Sequence, residues 1–308
     1  MRRRLQSKYL PVSLIILAAL LWSLDGVLRA DLRVIPAPML VALEHGLGLI
    51  FLTPWLILLR KQILGASRKA QTSLVLTAIV SGVLGTVFYT RALAEIDYVP
   101  FSVVVLMQQL QPLFAVTLAA LVLREKIDIR IIVSGAFALL GAYLISFPEL
   151  VPDLNSATGQ SQALAAGLAA AAALAWGAGT VLSKQALAEI DFHAATAGRF
   201  LITFVAATIL AVILGETASL GTIESSQWLQ LLVIVFSAGM VALLLYYKGL
   251  SQTRAQVATF AELTWPLSAF AIDIYRGVDF TQTQIFGGII LLIMIIRIAG
   301  YANAEKNV

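Results

Sequence analysis

The chain has no cysteine, which removes disulfides, thiolate metal sites and cysteine nucleophiles from consideration. Its two histidines, His45 and His193, stand at unrelated spacing, so neither a metal cluster nor a Ser-His-Asp relay is suggested, and no glycine-rich phosphate loop appears. Charge is scarce as well: 12% of the 308 residues are Asp, Glu, Lys or Arg, where soluble domains carry about 25%. Aliphatic residues fill the gap. Apolar residues make up 60% of the chain, and the mean hydropathy is +0.91.

No polar stretch is long enough to build a soluble domain. The apolar runs each approach the roughly 20 residues needed to cross about 30 Å of hydrocarbon. The net charge of +4 is not a nucleic-acid signal, because the basic residues lie in short clusters between apolar runs, where they orient a chain in a bilayer.

The strongest pattern is an internal repeat at an offset of 154 residues, half the length. Pro112-Leu113-x-Ala115 recurs as Pro266-Leu267-x-Ala269, Gln108 falls on Glu262, Glu125 on Asp279, Trp22 on Trp176 and Gly85 on Gly239. Repeats of this kind organise the whole reading. Met1-Arg2-Arg3-Arg4 and the run 11–28 read as an uncleaved first span, since the run is too long for a signal peptide core. Nine further spans are expected over 37–59, 72–92, 99–122, 129–147, 163–184, 194–214, 227–248, 255–275 and 282–300. The first five spans form residues 1–147, an extracytoplasmic linker covers 148–162, and the last five form 163–308.

With the N-terminus cytoplasmic, sixteen Lys and Arg residues fall on that side and four (Arg29, Arg33, Arg91, Arg276) on the other. That bias requires an even number of spans and both termini inside. Five spans per half is odd, so the second half enters the membrane in the opposite sense. The expected fold class is an all-α membrane protein of ten transmembrane helices in two inverted five-helix repeats. Inverted repeats suit alternating access.

Counting 1.5 Å per residue along each span, Trp22, Glu44, His45, Trp176 and Glu262 fall near the midplane, where ionisable groups are costly and normally face the bundle interior. On the ninth span Glu262, Trp265, Pro266, Ala269 and Asp273 share a face. On the fourth, Gln108, Gln111, Pro112 and Ala115 do, and on the third Gly82, Gly85 and Tyr89. The expected substrate site is therefore Trp22, Glu44, His45, Tyr89, Gln108, Trp176, Glu262 and Trp265, with Pro112 and Pro266 as hinges. Each has a plainer reading: tryptophans and glycines as packing, glutamines as interhelical glue, prolines as kinks, Arg199 as a snorkelling side chain. Asp25–Arg29 and Arg91 with Glu95 or Asp97 read better as solvated or gate-closing pairs near the outer face than as substrate ligands.

The Trp followed by small residues in the first helix of each half, and the Pro-centred helix ending in Arg124-Glu125-Lys126-Ile127, resemble the EamA-like ten-helix transporters of the drug/metabolite transporter superfamily, over essentially the whole chain. The resemblance implies a carrier of small metabolites in the inner membrane, working by facilitated or proton-exchange transport, with many exporters of amino acids among its members. Such proteins often carry Arg early in the second helix of each half, where this chain has His45 and Arg199. They often have Glu before the proline, where it has Gln111 and Trp265. The expectation is a secondary transporter of an amino acid, with the substrate, the lipid bilayer and a proton as partners and no cofactor, metal or nucleic acid. The alternatives are an organic cation resembling choline, bound by rings and carboxylates, and a membrane scaffold without transport.

Overall fold

The computed structural model describes residues 2–29, 32, 34–94, 107–146, 150, 159–275 and 281–304, and among them it is helical with no strand. The first half runs α1 (Arg2–Trp22), α2 (Asp25–Arg29), α3 (Ala37–Gly65), α4 (Arg68–Leu76), a π-helical stretch Thr77–Gly85, α5 (Thr86–Ala94), α6 (Gln111–Val122) and α7 (Ile129–Ser146). The second half runs α8 (Gly159–Ala186), α9 (Phe192–Ile213), α10 (Ser225–Ile234), a second π stretch Val235–Gly239, α11 (Met240–Ser251), α12 (Ala255–Ala261), α13 (Thr264–Tyr275) and α14 (Gln282–Ala304).

Local chemistry sets these boundaries. Pro36 and Pro38 open α3, where a missing N–H is no loss. Ser67 caps α4 by accepting from the Ala70 N–H, and Asp191 caps α9 by accepting from the His193 N–H. Glu224 and Gln227 form a reciprocal capping box at the start of α10.

Five helical segments are long and apolar enough to cross a membrane: Ala37–Gly65, Arg68–Leu93, Ala163–Ala186, Phe192–Ile213 and Ser225–Ser251. Shorter apolar helices cover Tyr9–Trp22, Gln111–Val122, Ile129–Ile145 and Gln282–Ile298. Large apolar side chains such as Ile50, Leu58, Leu121, Ile213 and Ile296 point outward, as lipid contact requires.

The ninth expected span, 255–275, is not one helix. It breaks at Glu262–Leu263 into α12 and α13, and the fourth shows a matching break at Gln109–Leu110 just ahead of α6. Each proline therefore lies in the first turn of a new helix rather than in the middle of an old one. There its ring disrupts no intrahelical bond. The first expected span also turns at Ser23–Leu24 before α2. Most of the linker 148–162 lies outside the described residues, as do Glu95, Asp97 and Asp279 and the side chains of Ala269 and Asp273.

Packing follows the repeat. α3 packs on α9 and α7 on α14, while α1 packs on α11 as α8 packs on α5. Exchanging the two halves maps each of these contacts onto itself or another of the set. The two π stretches end on repeat-related glycines, Gly85 and Gly239.

Candidate functional site

Where α1, α3, α8, α9, α11 and the broken 255–275 segment converge, they enclose a cavity of about 230 Å³. All eight residues expected from the sequence as substrate ligands line it: Trp22, Glu44, His45, Tyr89, Gln108, Trp176, Glu262 and Trp265. Pro112 and Pro266 border it as well.

Two aromatic pairs face the space. Trp22 meets Tyr246 with ring centroids 5.2 Å apart, and Trp176 meets Tyr89 at the same 5.2 Å. Trp22 and Trp176 are repeat equivalents, so each half contributes a tryptophan that is closed over by a tyrosine of the other half. Such tilted pairs are favourable by about 0.5–1.5 kcal/mol beyond their buried area.

Polar groups gather at two ends. At one, Tyr246 donates from its hydroxyl to Glu262 Oε1 at 2.8 Å and Gln111 Nε2 donates to Glu262 Oε2 at 2.7 Å. The Tyr246 hydroxyl also meets Thr180 Oγ1 at 2.9 Å. The glutamine that sequence reading treats as possible glue is thus tied to the carboxylate. Gln108 is the interhelical link, donating to the Ala169 carbonyl at 3.0 Å.

At the other end, Arg29 donates from Nε to Asp25 at 2.5 Å and from Nη2 to Glu44 at 2.6 Å. The Asp25–Arg29 pair forms at the expected spacing, but the solvated reading fails. Arg29 and Glu44 are 6% and 5% exposed, and all three residues line the cavity. Arg91, by contrast, stays mostly exposed and approaches Glu216 at 3.9 Å.

Arg199 does not snorkel. Its guanidinium turns inward, donating to the Tyr247 hydroxyl at 2.9 Å and to Ser81 Oγ at 3.1 Å. Ser183 bonds the same Tyr247 hydroxyl at 2.9 Å. His45, its repeat equivalent, is 6% exposed, sits 2.9 Å from the Val41 carbonyl through Nδ1, and lies on the Phe200 ring at 4.7 Å.

The wall thus carries three carboxylates (Asp25, Glu44, Glu262) and two guanidiniums (Arg29, Arg199). Five of its buried polar atoms have no hydrogen-bond partner among the described residues: Asp25 Oδ1, Arg29 Nη1, Gln109 Nε2, Arg199 Nε and Thr259 Oγ1. Unsatisfied buried groups cost about 1–3 kcal/mol each, so this wall suits a guest with its own donors and acceptors. Sequence reasoning missed Tyr246 and Tyr247. Their signal is an adjacent pair of hydroxyl-bearing rings at the end of the aliphatic run Val241 to Leu245.

A family model described as the EamA-like transporter family matches the chain twice, over residues 10–147 and 163–299. The riboflavin transporter ImpX of Fusobacterium nucleatum subsp. nucleatum is 34% identical over 295 residues, which is 93% of this chain and 96% of that protein. A protein crystal structure superposes with a TM-score of 0.70 over 96% of each chain at 17% identity, a likeness of fold.

Proposed function

Because the chain belongs to the EamA-like family of the drug/metabolite transporter superfamily, and is a multi-pass membrane transporter rather than an enzyme, we propose that its cavity carries a planar, uncharged heteroaromatic metabolite of the riboflavin kind. The observation that carries this reading is the pair of facing aromatic contacts, Trp22–Tyr246 and Tyr89–Trp176. Rings supplied symmetrically by both halves make a platform for a flat guest, and stacking of this type contributes about 1–3 kcal/mol per ring. The name of the 34% identical relative supports the same class.

The cycle we propose is alternating access across the cell (inner) membrane with both termini cytoplasmic. The one-sided bias of basic loops and the exchange of helix contacts between halves support it. The substrate-binding set is Trp22, Glu44, His45, Tyr89, Gln108, Trp176, Glu262 and Trp265, with the breaks beside Pro112 and Pro266 as hinges. If a proton accompanies the substrate, Glu262 is its seat, since its two partners are the neutral Tyr246 and Gln111.

The amino acid expected from sequence is a second reading, and the named relative does not support it. One observation favours it. Glu262 and Arg199 are each held by neutral groups rather than by each other, which leaves opposite charges for an ammonium and a carboxylate. A choline-like cation suits the wall less well, because a quaternary ammonium neither accepts from Arg29 Nη1 and Arg199 Nε nor donates to Asp25 Oδ1, buried atoms without a partner among the described residues. The scaffold alternative drops out with membership of a transporter family.

Fluorescence titration of the purified protein with riboflavin tests the proposal, in parallel with thermal shift against zwitterionic amino acids. Saturable quenching of flavin emission, weakened about tenfold or more in Trp22→Ala and in Trp176→Ala, is the expected result. No flavin binding, together with amino-acid stabilisation that is lost in Arg199→Gln and Glu262→Gln, would transfer the assignment to the second reading.

A further inference from the structure

The cavity is built asymmetrically by a symmetric fold. Asp25, Arg29 and Glu44 form its charged outer corner, yet the positions related to them by the 154-residue repeat are Gly179, Ser183 and Gly198. The second half carries no charge at any of these three positions, and its helix α8 runs unbroken through Gly179 and Ser183, so the repeat does not require the triad. A buried cluster of three ionisable groups is costly to place inside a membrane-spanning bundle, and it calls for a role in recognition.

We propose that Asp25, Arg29 and Glu44 form a subsite for an uncharged, hydroxylated tail of the substrate, and that the same triad turns away tails carrying phosphate. This deepens the transport reading and rests on it. Three observations carry it.

First, the triad's internal bonds leave one donor and one acceptor unused. Arg29 spends Nε on Asp25 Oδ2 and Nη2 on Glu44 Oε2. Arg29 Nη1 and Asp25 Oδ1 are buried with no hydrogen-bond partner among the described residues. A hydroxyl both donates and accepts, so a hydroxylated tail supplies a partner for each atom. An ammonium satisfies only the carboxylate and a carboxylate only the guanidinium.

Second, the charge excludes an anion. Among the described residues Arg29 is the one cation of this corner, and it is bracketed by two carboxylates within 2.6 Å. With both carboxylates ionised the corner carries a surplus negative charge, and a phosphate placed there would meet repulsion in a poorly screened setting.

Third, the corner is placed where a tail would reach. Asp25 follows Trp22 by three residues, and Arg29 and Glu44 line the same cavity as the aromatic pairs. Glu262, bonded by the hydroxyl of the partner ring Tyr246 and by Gln111, marks the other polar end, where a ring N–H would donate to the carboxylate. A guest with a flat ring, a hydrogen-bonding edge and a polyol chain matches the order edge, ring, tail. Riboflavin has those three parts.

The experiment compares three probes on the purified full-length protein: riboflavin, riboflavin 5′-phosphate and lumiflavin, which has a methyl group in place of the hydroxylated chain. Riboflavin should bind about tenfold or more tightly than either of the others, the usual consequence of leaving a buried charged group unpaired or facing like charge. Glu44→Gln, which removes one negative charge while keeping shape, should narrow the gap between riboflavin and its phosphate to within about threefold and leave lumiflavin affinity unchanged. Lumiflavin or the phosphate binding as tightly as riboflavin would overturn the subsite while leaving the transport reading in place. So would Glu44→Gln weakening all three probes equally. If none of the three binds, both readings fall. The wild-type comparison needs no variant, so it stands even if Glu44→Gln folds poorly.

Discussion

Tyr246 and Tyr247 are neighbours in the chain and hold opposite charges. The Tyr246 hydroxyl donates to Glu262 at 2.8 Å, and the Tyr247 hydroxyl accepts from Arg199 at 2.9 Å. Their rings are 6.1 Å apart. One turn of α11 therefore holds a half-buried carboxylate and a half-buried guanidinium on separate hydroxyls, both in the wall of one cavity.

That arrangement predicts selective coupling. A hydrogen bond to a charged group contributes about 1.5–3 kcal/mol, so Tyr246→Phe should destabilise the protein by that order, and Tyr247→Phe likewise. In double-mutant cycles read by denaturation in detergent, Tyr246 should couple strongly to Glu262, and Tyr247 to Arg199. The crossed pairs, Tyr246 with Arg199 and Tyr247 with Glu262, should couple much less. Equal coupling in all four combinations would show instead a single shared network.

Much of this was legible beforehand. Trp22 and Trp176, Pro112 and Pro266, and Gly85 and Gly239 fall 154 residues apart, and counting depth along each span put Glu44, His45 and Glu262 at the cavity. The helix breaks were not legible, because a proline in the first turn of a new helix and a proline kinking an old one look the same in a string of apolar letters. Nor was the Arg29–Glu44 contact, which joins α2 to α3 through packing that no periodicity encodes. Arg199 was singled out, but its inward turn depends on Tyr247 and Ser81, which come from two other segments. Periodicity reports which face a residue occupies, and it is silent on what the neighbouring helix offers that face.

The α7–α14 contact makes a sharp prediction about volume. A Cβ on Gly141 would sit 2.8 Å from the Gly287 carbonyl oxygen and the Leu291 backbone nitrogen, and one on Gly287 would lie 2.7 Å from the Gly141 carbonyl oxygen. Backbone cannot step aside as a side chain can. Gly141→Ala or Gly287→Ala should therefore cost about 1–3 kcal/mol, visible as a lower midpoint of thermal unfolding. Gly167 in α8 has nothing within 4 Å of its would-be Cβ, and Gly167→Ala should be neutral or stabilising by up to about 1 kcal/mol.

On the face carrying the basic loops, Glu189 accepts from the Ser67 backbone N–H at 2.8 Å and from its hydroxyl at 2.7 Å, tying a loop of one half to a loop of the other. These bonds favour the ionised carboxyl and hold it below the usual carboxylate range. A depressed group of this kind contributes stability above its unfolded value and loses it as pH falls through the folded one. Ser67→Ala should accordingly lower the unfolding midpoint slightly at neutral pH, and the difference from the parent protein should disappear once the pH drops below that range. A difference that persisted in acid would assign it to the Ser67 cap on α4 rather than to Glu189.

The two π stretches give the last prediction, because equivalent glycines guard different parts of one cavity. A Cβ on Gly85 would lie 2.7 Å from Cδ1 and Nε1 of Trp176, and one on Gly239 would lie 3.1 Å from Glu44 Oε1. π-helical insertions recur at functional sites, and here each brings bare backbone up to a side chain that lines the cavity. Gly85→Ala should push Trp176 out of its 5.2 Å contact with Tyr89 and weaken riboflavin and lumiflavin alike, by about tenfold if stacking supplies the usual 1–3 kcal/mol. Gly239→Ala should press instead on Glu44, leaving lumiflavin unaffected and weakening riboflavin alone. Titrating both ligands against both variants reads ring and tail separately: the same loss pattern from both glycines would mean that the substitutions disturb the helices, and opposite patterns would mean that each reaches the side chain it touches.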